Sequence, residues 1–199
     1  MAREPGQNLL QILPLRALTD QLRICSKNGL QPGMQAPAGS RLVLSPMAVS
    51  ITAEPFGSAD AQPLISALDA ELGALYPPEQ RFGPNARAEQ FEAGSGTFLV
   101  ARAAGRAVGC GGVRLLDSTT AEVKRMYVEP TYRGTGIGRA VLSALEAAAR
   151  QMAVRRLVLE TGVYQHAAIA IYRRAGFTQV DCWGEYSTSP SSVCFEKML

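Results

Sequence analysis

Arg133-Gly134-Thr135-Gly136-Ile137-Gly138-Arg139 stands between a strand-like run, Val123 to Glu129, and an alanine-rich helical run, Ala140 to Met152. A strand that empties through glycines into a helix makes a cradle for phosphate. The first-turn N–H groups of the helix have no carbonyl partner, and the helix dipole places partial positive charge beside them. Glycine leaves room for a ligand to approach that backbone. The spacing narrows which phosphate. A dinucleotide fingerprint needs Gly-x-Gly-x-x-Gly or Ala, yet its last position is Arg139 counted from Gly134 and Val141 counted from Gly136. A P-loop closes on Gly-Lys-Ser/Thr, and no such tripeptide follows. Both nucleotide readings fail. What remains is Arg-x-x-Gly-x-Gly, filled by Arg133, Gly136 and Gly138.

Outward from the loop, hydrophobic periodicity sets the frame. Val49, Ile51 and Ala53 alternate with polar residues as a first strand, and Ala59 to Leu75 carries apolar positions at helical spacing. Thr97 to Ala103, Ala107 to Leu116 and Ala121 to Glu129 follow at short intervals, with Ala104-Gly105-Arg106 and Asp117-Ser118-Thr119 as turns, which predicts an antiparallel meander. Downstream come a helix Gly136 to Met152, a strand Arg156 to Glu160, a helix Gln165 to Ala175, and strands Phe177 to Asp181 and Val193 to Lys197. The strand–helix–strand portion implies a parallel pair. Tyr76 to Phe91, rich in Pro, Gly and charge, reads as a functional or a mobile loop.

Preceded by Met126-Tyr127-Val128, the glycine loop resembles the acetyl-CoA signature of the GNAT superfamily of N-acetyltransferases. Ala167-Ala168-Ile169-Ala170-Ile171-Tyr172-Arg173-Arg174-Ala175-Gly176-Phe177 resembles that family's second motif, a helix whose tyrosine faces the thioester sulphur, closed by a Gly-Phe entry into the next strand. The motifs stand in the family's order, with room for one helix and one strand between them, and the likeness runs from Ser50 to Leu199. It implies an α/β (α+β) fold: a central mixed, mostly antiparallel sheet of about six to seven strands, splayed at the middle and flanked by about four helices. It also implies acetyl-CoA as cosubstrate, its pantetheine arm held in the splay by the main chain around Met126, Tyr127 and Val128, and its diphosphate on Arg133, Gly134, Thr135, Gly136, Ile137, Gly138 and Arg139. Many relatives carry an asparagine after the fifth strand, whereas this chain has Gly162-Val163-Tyr164-Gln165-His166, and Gln165 offers the same amide on a longer arm. Many relatives also pair through their sheets, so a homodimer is an expectation of the same kind.

Acetyl transfer to an amine sets two chemical demands. A lysine-like amine has a pKa near 10.4, so at neutral pH only about one molecule in a few thousand is the neutral nucleophile, and a base must help. Glu122, on the strand beside the thioester, stands where several relatives place one; the competing reading is a strand glutamate paired with Lys124 on the same face. The departing thiolate needs a proton, which the phenol of Tyr172 can deliver; the competing reading packs Tyr172 beside Ile169. A strand N–H near Val128 would meet the oxyanion. Trp183, Glu185 and Tyr186 either line the acceptor pocket or cover the sheet's edge, and His166 reads as a capping or surface residue. No cysteine lies in either motif, which favours direct attack within a ternary complex over an acyl-enzyme. Two other classes stay open: a non-catalytic acyl-CoA-binding regulatory module, and an interaction domain whose glycine loop is only a turn.

Composition bounds the rest. The chain has 199 residues, suited to one domain, with a formal charge of +3. That excess lies entirely in residues 1–46, where five basic residues face Glu4 and Asp20. The balanced remainder argues against nucleic acid as a partner. Residues 1–46 are also broken by Pro5, Pro14, Pro32, Pro37 and Pro46, and read as a loosely ordered extension, or as lying upstream of a true start at Met47, before a single domain over 47–199. No apolar run approaches the roughly 20 residues of a membrane span. Cys25, Cys110, Cys182 and Cys194 lack metal-site spacing, and His166 is the only histidine, so no metal is expected and four reduced thiols in a cytoplasmic protein are.

Overall fold

The computed structural model describes residues 48–80 and 86–199, so the expected extension over 1–46 and the centre of the Tyr76–Phe91 loop lie outside the described residues. Seven strands form one sheet: β1 (Val49–Ala53), β2 (Gly96–Ala103), β3 (Arg106–Leu115), β4 (Thr120–Val128), β5 (Arg156–Gly162), β6 (Thr178–Val180) and β7 (Ser192–Met198). Their order is β1-β2-β3-β4-β5-β7-β6, so the last strand enters between β5 and β6 and leaves the three-residue β6 at the edge. All pairings are antiparallel except β4 with β5. The meander and the parallel pair are those the turn spacing predicts.

Three α-helices, α1 (Ala61–Leu75), α2 (Ile137–Gln151) and α3 (His166–Arg174), stand among the described residues, one fewer than the resemblance implies. After α1, Pro77 and Pro78 stop regular helix, and among the described residues the 3-10 turns Pro78–Gln80 and Ala88–Phe91 precede β2. Alternation along the strands divides the core between the two faces. Leu99, Ala101, Val113, Ala121, Val123, Leu157 and Leu159 pack with Ile137, Val141, Leu142 and Leu145 of α2. On the opposite face Phe98, Val100, Cys110 and Tyr127 pack with Ala61, Leu64, Ile65 and Leu68 of α1.

Two irregularities in β4 prepare the site. Its parallel ladder with β5 covers only Thr120–Glu122 against Arg156–Val158, and beyond that both strands continue unpaired with each other, opening a wedge. Against β3, Gly112 pairs with Lys124 while Cys110 pairs with Tyr127, so β4 carries one extra residue and bulges. Arg125 takes φ +58° at the bulge, and its guanidinium is tied to Asp69 of α1.

The expectation of four reduced thiols is corrected. Cys182 and Cys194 form a disulfide, and Cys110 is the free cysteine among the described residues. The two partners are 12 residues apart in no recognisable motif. They meet because β7 turns back beside β6, which places Cys194 opposite Val180, two residues before Cys182.

Candidate active site

At the mouth of the wedge, β4 runs through a 3-10 turn, Pro130–Tyr132, into α2. Gly134 and Gly136 take φ of +77° and +93°, the left-handed region that glycine enters without strain. A Cβ on either would meet nothing within 4 Å, so positive φ, with open space in front, is what requires glycine there. Gly138 is needed for a different reason: its Cβ would stand 3.1 Å from Ile171 of α3. Thr135 closes the turn by donating its hydroxyl to the Tyr132 carbonyl at 2.6 Å. The start of α2 has no side-chain cap and no acidic residue in its first turn. Its Ile137, Gly138 and Arg139 N–H groups find no backbone acceptor among the described residues. A helix begun this way can accept an anion at its first turn.

The two arginines that bracket the loop part company. Arg139 is exposed in the first turn of α2. Arg133 folds back: its Nε donates to the Val128 carbonyl at 2.9 Å, a terminal nitrogen reaches Glu71 of α1 at 2.5 Å, and the guanidinium lies 5.5 Å from the Tyr127 ring centre. It thus ties α1 to β4. Met126 and Val128 direct their side chains into the α2-side core, leaving their main chain at the wedge. Gln165 also turns inward, its Oε1 accepting from the Thr161 hydroxyl and from the Gly162 N–H at 3.4 Å. His166 is exposed at the start of α3.

At the vertex of the wedge, Glu122 is 1 % exposed. Arg114 engages its Oε2 through Nε at 2.7 Å and a terminal nitrogen at 2.6 Å, while Lys124 donates to Oε1 at 3.2 Å and Tyr186 at 3.0 Å. Lys124 also donates to the Tyr186 oxygen at 2.7 Å. The partnership with Lys124 that the sequence admits is present, and both carboxylate oxygens are engaged. Burial lowers the pKa of Lys124, against the attraction of Glu122. Tyr186 comes from the 3-10 turn Gly184–Tyr186 between β6 and β7, with Trp183 packed edge-on at 5.7 Å. Of the three residues singled out there, Tyr186 is buried, Trp183 half-buried and Glu185 exposed.

Tyr172 of α3 is buried beside Phe177 and Phe195, ring centres 6.0 and 6.2 Å away. Its hydroxyl has no hydrogen-bond partner among the described residues. Burial, and then the charge of Glu160, raise its pKa.

Glu160, which sequence reading treated only as the end of a strand, completes the cluster. Leu157 and Leu159 of β5 face α2, so alternation turns Glu160 to the α1 side. It lies beyond the last β4–β5 pair, half-buried. Ser192 donates to its Oε1 at 2.6 Å, and its other oxygen has no partner among the described residues. Burial raises its pKa, which Ser192 and the charge of Lys124 partly offset. Tyr76, at the end of α1, crosses to this strand: its hydroxyl accepts from the Tyr164 N–H at 3.0 Å, and its ring lies where any side chain on Gly162 would stand. Period-2 reading of β5 was the available signal for Glu160; nothing in the sequence flags Tyr76, which acts over 88 residues of chain.

The comparisons with known proteins agree with this geometry. Residues 65–177 match the model of the acetyltransferase (GNAT) family. The chain is 42% identical over 145 residues to an IAA acetyltransferase of Azospirillum brasilense, covering 68% of this chain and 88% of that protein. A Klebsiella pneumoniae structure described as an acyl-CoA N-acyltransferase superposes with TM-score 0.66 at 38% identity, over 76% of this chain and 97% of that one. At 19% identity, a likeness of fold alone, a GNAT acetyltransferase from Elizabethkingia anophelis with acetyl-CoA bound gives TM-score 0.56 over 76% of this chain and 98% of that one. With the family model spanning more than half the chain and the wedge, glycine loop and tyrosine helix in place, the protein belongs to the GNAT acetyltransferase family and is an acyltransferase.

Proposed function

We propose that the chain transfers an acetyl group from acetyl-CoA to a primary amine by direct attack in a ternary complex. The observation that carries this reading is the presence of two unengaged polar groups, a half-buried Glu160 carboxylate just beyond the last β4–β5 pair with one oxygen unpartnered and a Tyr172 hydroxyl with no hydrogen-bond partner among the described residues. The uncapped N–H groups from Ile137 to Arg139 would receive the diphosphate, with Gly134, Thr135 and Gly136 shaping the turn. The Met126 and Val128 main chain would hold the pantetheine and meet the oxyanion. Glu160 would take the ammonium proton and Tyr172 would return one to the thiolate.

The base role expected of Glu122 is assigned differently in this proposal. With Arg114 and Lys124 holding both its oxygens, Glu122 serves as the fixed anion that orients Lys124 and Tyr186. Tyr76 with Tyr164 and Trp183 with Tyr186 suit an acceptor that carries an apolar body beside its amine.

Thiol release from acetyl-CoA over a panel of primary amines, alongside calorimetric titration with acetyl-CoA, tests the reading. Amine-dependent release supports it. Binding without release on any amine identifies a non-catalytic acyl-CoA-binding module instead, and absence of binding removes both.

A further inference from the structure

The connection between β6 and β7 is held at few points. β6 pairs with β7 over Thr178–Val180 only, and that ladder ends two residues before Cys182. Beyond it the chain is fixed by the Cys182–Cys194 bond, by Tyr186 on Glu122 and Lys124, and by Ser191, whose carbonyl accepts from the Val163 N–H at 2.8 Å and whose hydroxyl donates to the Gln80 carbonyl at 3.0 Å. The last of these belongs to the β7 end. On the β6 end the disulfide is the covalent tether and fixes the chain next to Trp183, while Tyr186 is also held by Glu122 and Lys124.

The same bond adjoins the reaction centre. Cys194 is 1 % exposed and pairs in register with Glu160 across β5 and β7. Cys182 is the less buried partner, so attack at its sulphur is the route taken here. Cys110 takes no part: it is buried, and burial pushes its thiol up to about 12.

We propose that the Trp183–Tyr186 segment is an acceptor-positioning hook set by the Cys182–Cys194 disulfide, and that a dithiol reductant releases it, weakening acceptor engagement while leaving acetyl-CoA binding unchanged. The positioning role rests on the transferase function proposed for the wedge. A reductant thiolate attacks Cys182 sulphur and expels the Cys194 thiolate; the reductant's second thiol then displaces Cys182. Two electrons and two protons pass to the protein, giving two thiols, and the reductant leaves as its own disulfide. Among the described residues the hook's hydrogen bonds to β4 go to Glu122 and Lys124, not to Met126, Val128 or the start of α2, where acetyl-CoA is proposed to sit. In a compartment that reduces exposed disulfides, such a bond reports the redox state rather than acting as a permanent staple.

The full chain purified without reductant, the same chain in dithiothreitol, and Cys182→Ser decide the matter. Peptide mapping should find the Cys182–Cys194 linkage in the first sample alone. Trp183 is the only tryptophan in the chain, so acrylamide quenching reads the hook directly. Quenching and amide exchange over 183–189 should rise on reduction and in Cys182→Ser. The KM for the best amine of the panel should rise roughly five- to tenfold, the equivalent of about one hydrogen bond, with acetyl-CoA affinity constant to within about twofold. Absence of the linked peptide, unchanged quenching and exchange, or a loosened hook with unchanged KM overturns the proposal. If no amine is accepted, the transferase reading falls and the positioning role with it, while quenching still reports whether the bond sets the hook.

Discussion

The Tyr186 hydroxyl donates to Oε1 of Glu122 at 3.0 Å, joining residues 64 apart in sequence at the vertex of the wedge. The other donors to that carboxylate are Arg114 from β3 and Lys124 from β4, so one buried anion collects three elements. Desolvation makes such a cluster a poor source of net stability, but removing one partner strands the others without compensation. Glu122→Gln should therefore destabilise the fold by about 3–5 kcal/mol, seen as a lower denaturant midpoint at unchanged slope. A Glu122 acting only as a surface base would lose rate and keep the midpoint.

Glu160 should behave in the opposite way. If Glu160 is the base as proposed, its replacement in Glu160→Gln should cut kcat by about 10²- to 10⁴-fold. Its folded pKa is raised by burial, so its stabilising contribution is present below the unfolded carboxylate range and is lost as pH rises through the folded value. Glu160→Gln should accordingly flatten the fall in stability across that window, read by unfolding at a series of pH values. An equal loss of stability at every pH would instead assign Glu160 a packing role.

Lys124 should tune the base role proposed for Glu160. Its charge lowers the pKa of Glu160, so Lys124→Met should move the acid limb of the kcat/KM profile towards higher pH. A limb that stays in place would mean that another group titrates in the profile.

The meander, the parallel pair and the position of the glycine loop were legible in the sequence because each rests on local spacing: period-2 runs, two tight turns, and a strand emptying into a helix. The placement of Tyr172 on α3 was legible because its motif sits on one element. The site was not legible where the determining contact is distant or covalent. Arg133 satisfies the loop motif, yet Glu71 and Val128 claim its guanidinium. Glu122 alternates as a surface strand residue would, but Arg114, Lys124 and the sequence-distant Tyr186 close over its carboxylate. The Cys182–Cys194 pairing follows from strand insertion, which no residue spacing announces.

Gly162→Ala tests the strap that Tyr76 lays across β5. The new methyl would overlap the phenol oxygen and ring carbons of Tyr76, a rigid ring that cannot yield at its tip alone. Tyr76 must swing out and surrender the Tyr164 N–H. We expect a loss of about 1–3 kcal/mol in stability together with a raised amine KM, measured by denaturation and by the thiol-release assay. A neutral substitution would show that Tyr76 does not close the wedge on the α1 side.

Tyr172→Phe separates chemistry from packing most cleanly. The ring would keep its places beside Phe177 and Phe195, and the hydroxyl that disappears has no partner among the described residues, so stability should change by less than about 0.5 kcal/mol. The rate should not be spared: loss of the proton donor to the thiolate should lower kcat by about 10²-fold or more, with little change in acetyl-CoA affinity. Because burial and Glu160 raise the phenol's pKa, Tyr172 stays protonated throughout the neutral range. The wild-type rate should therefore show no alkaline fall from this group below the ordinary phenol range near pH 10. Full activity in Tyr172→Phe would leave the phenol a packing residue and require the thiolate to depart without a proton from the protein.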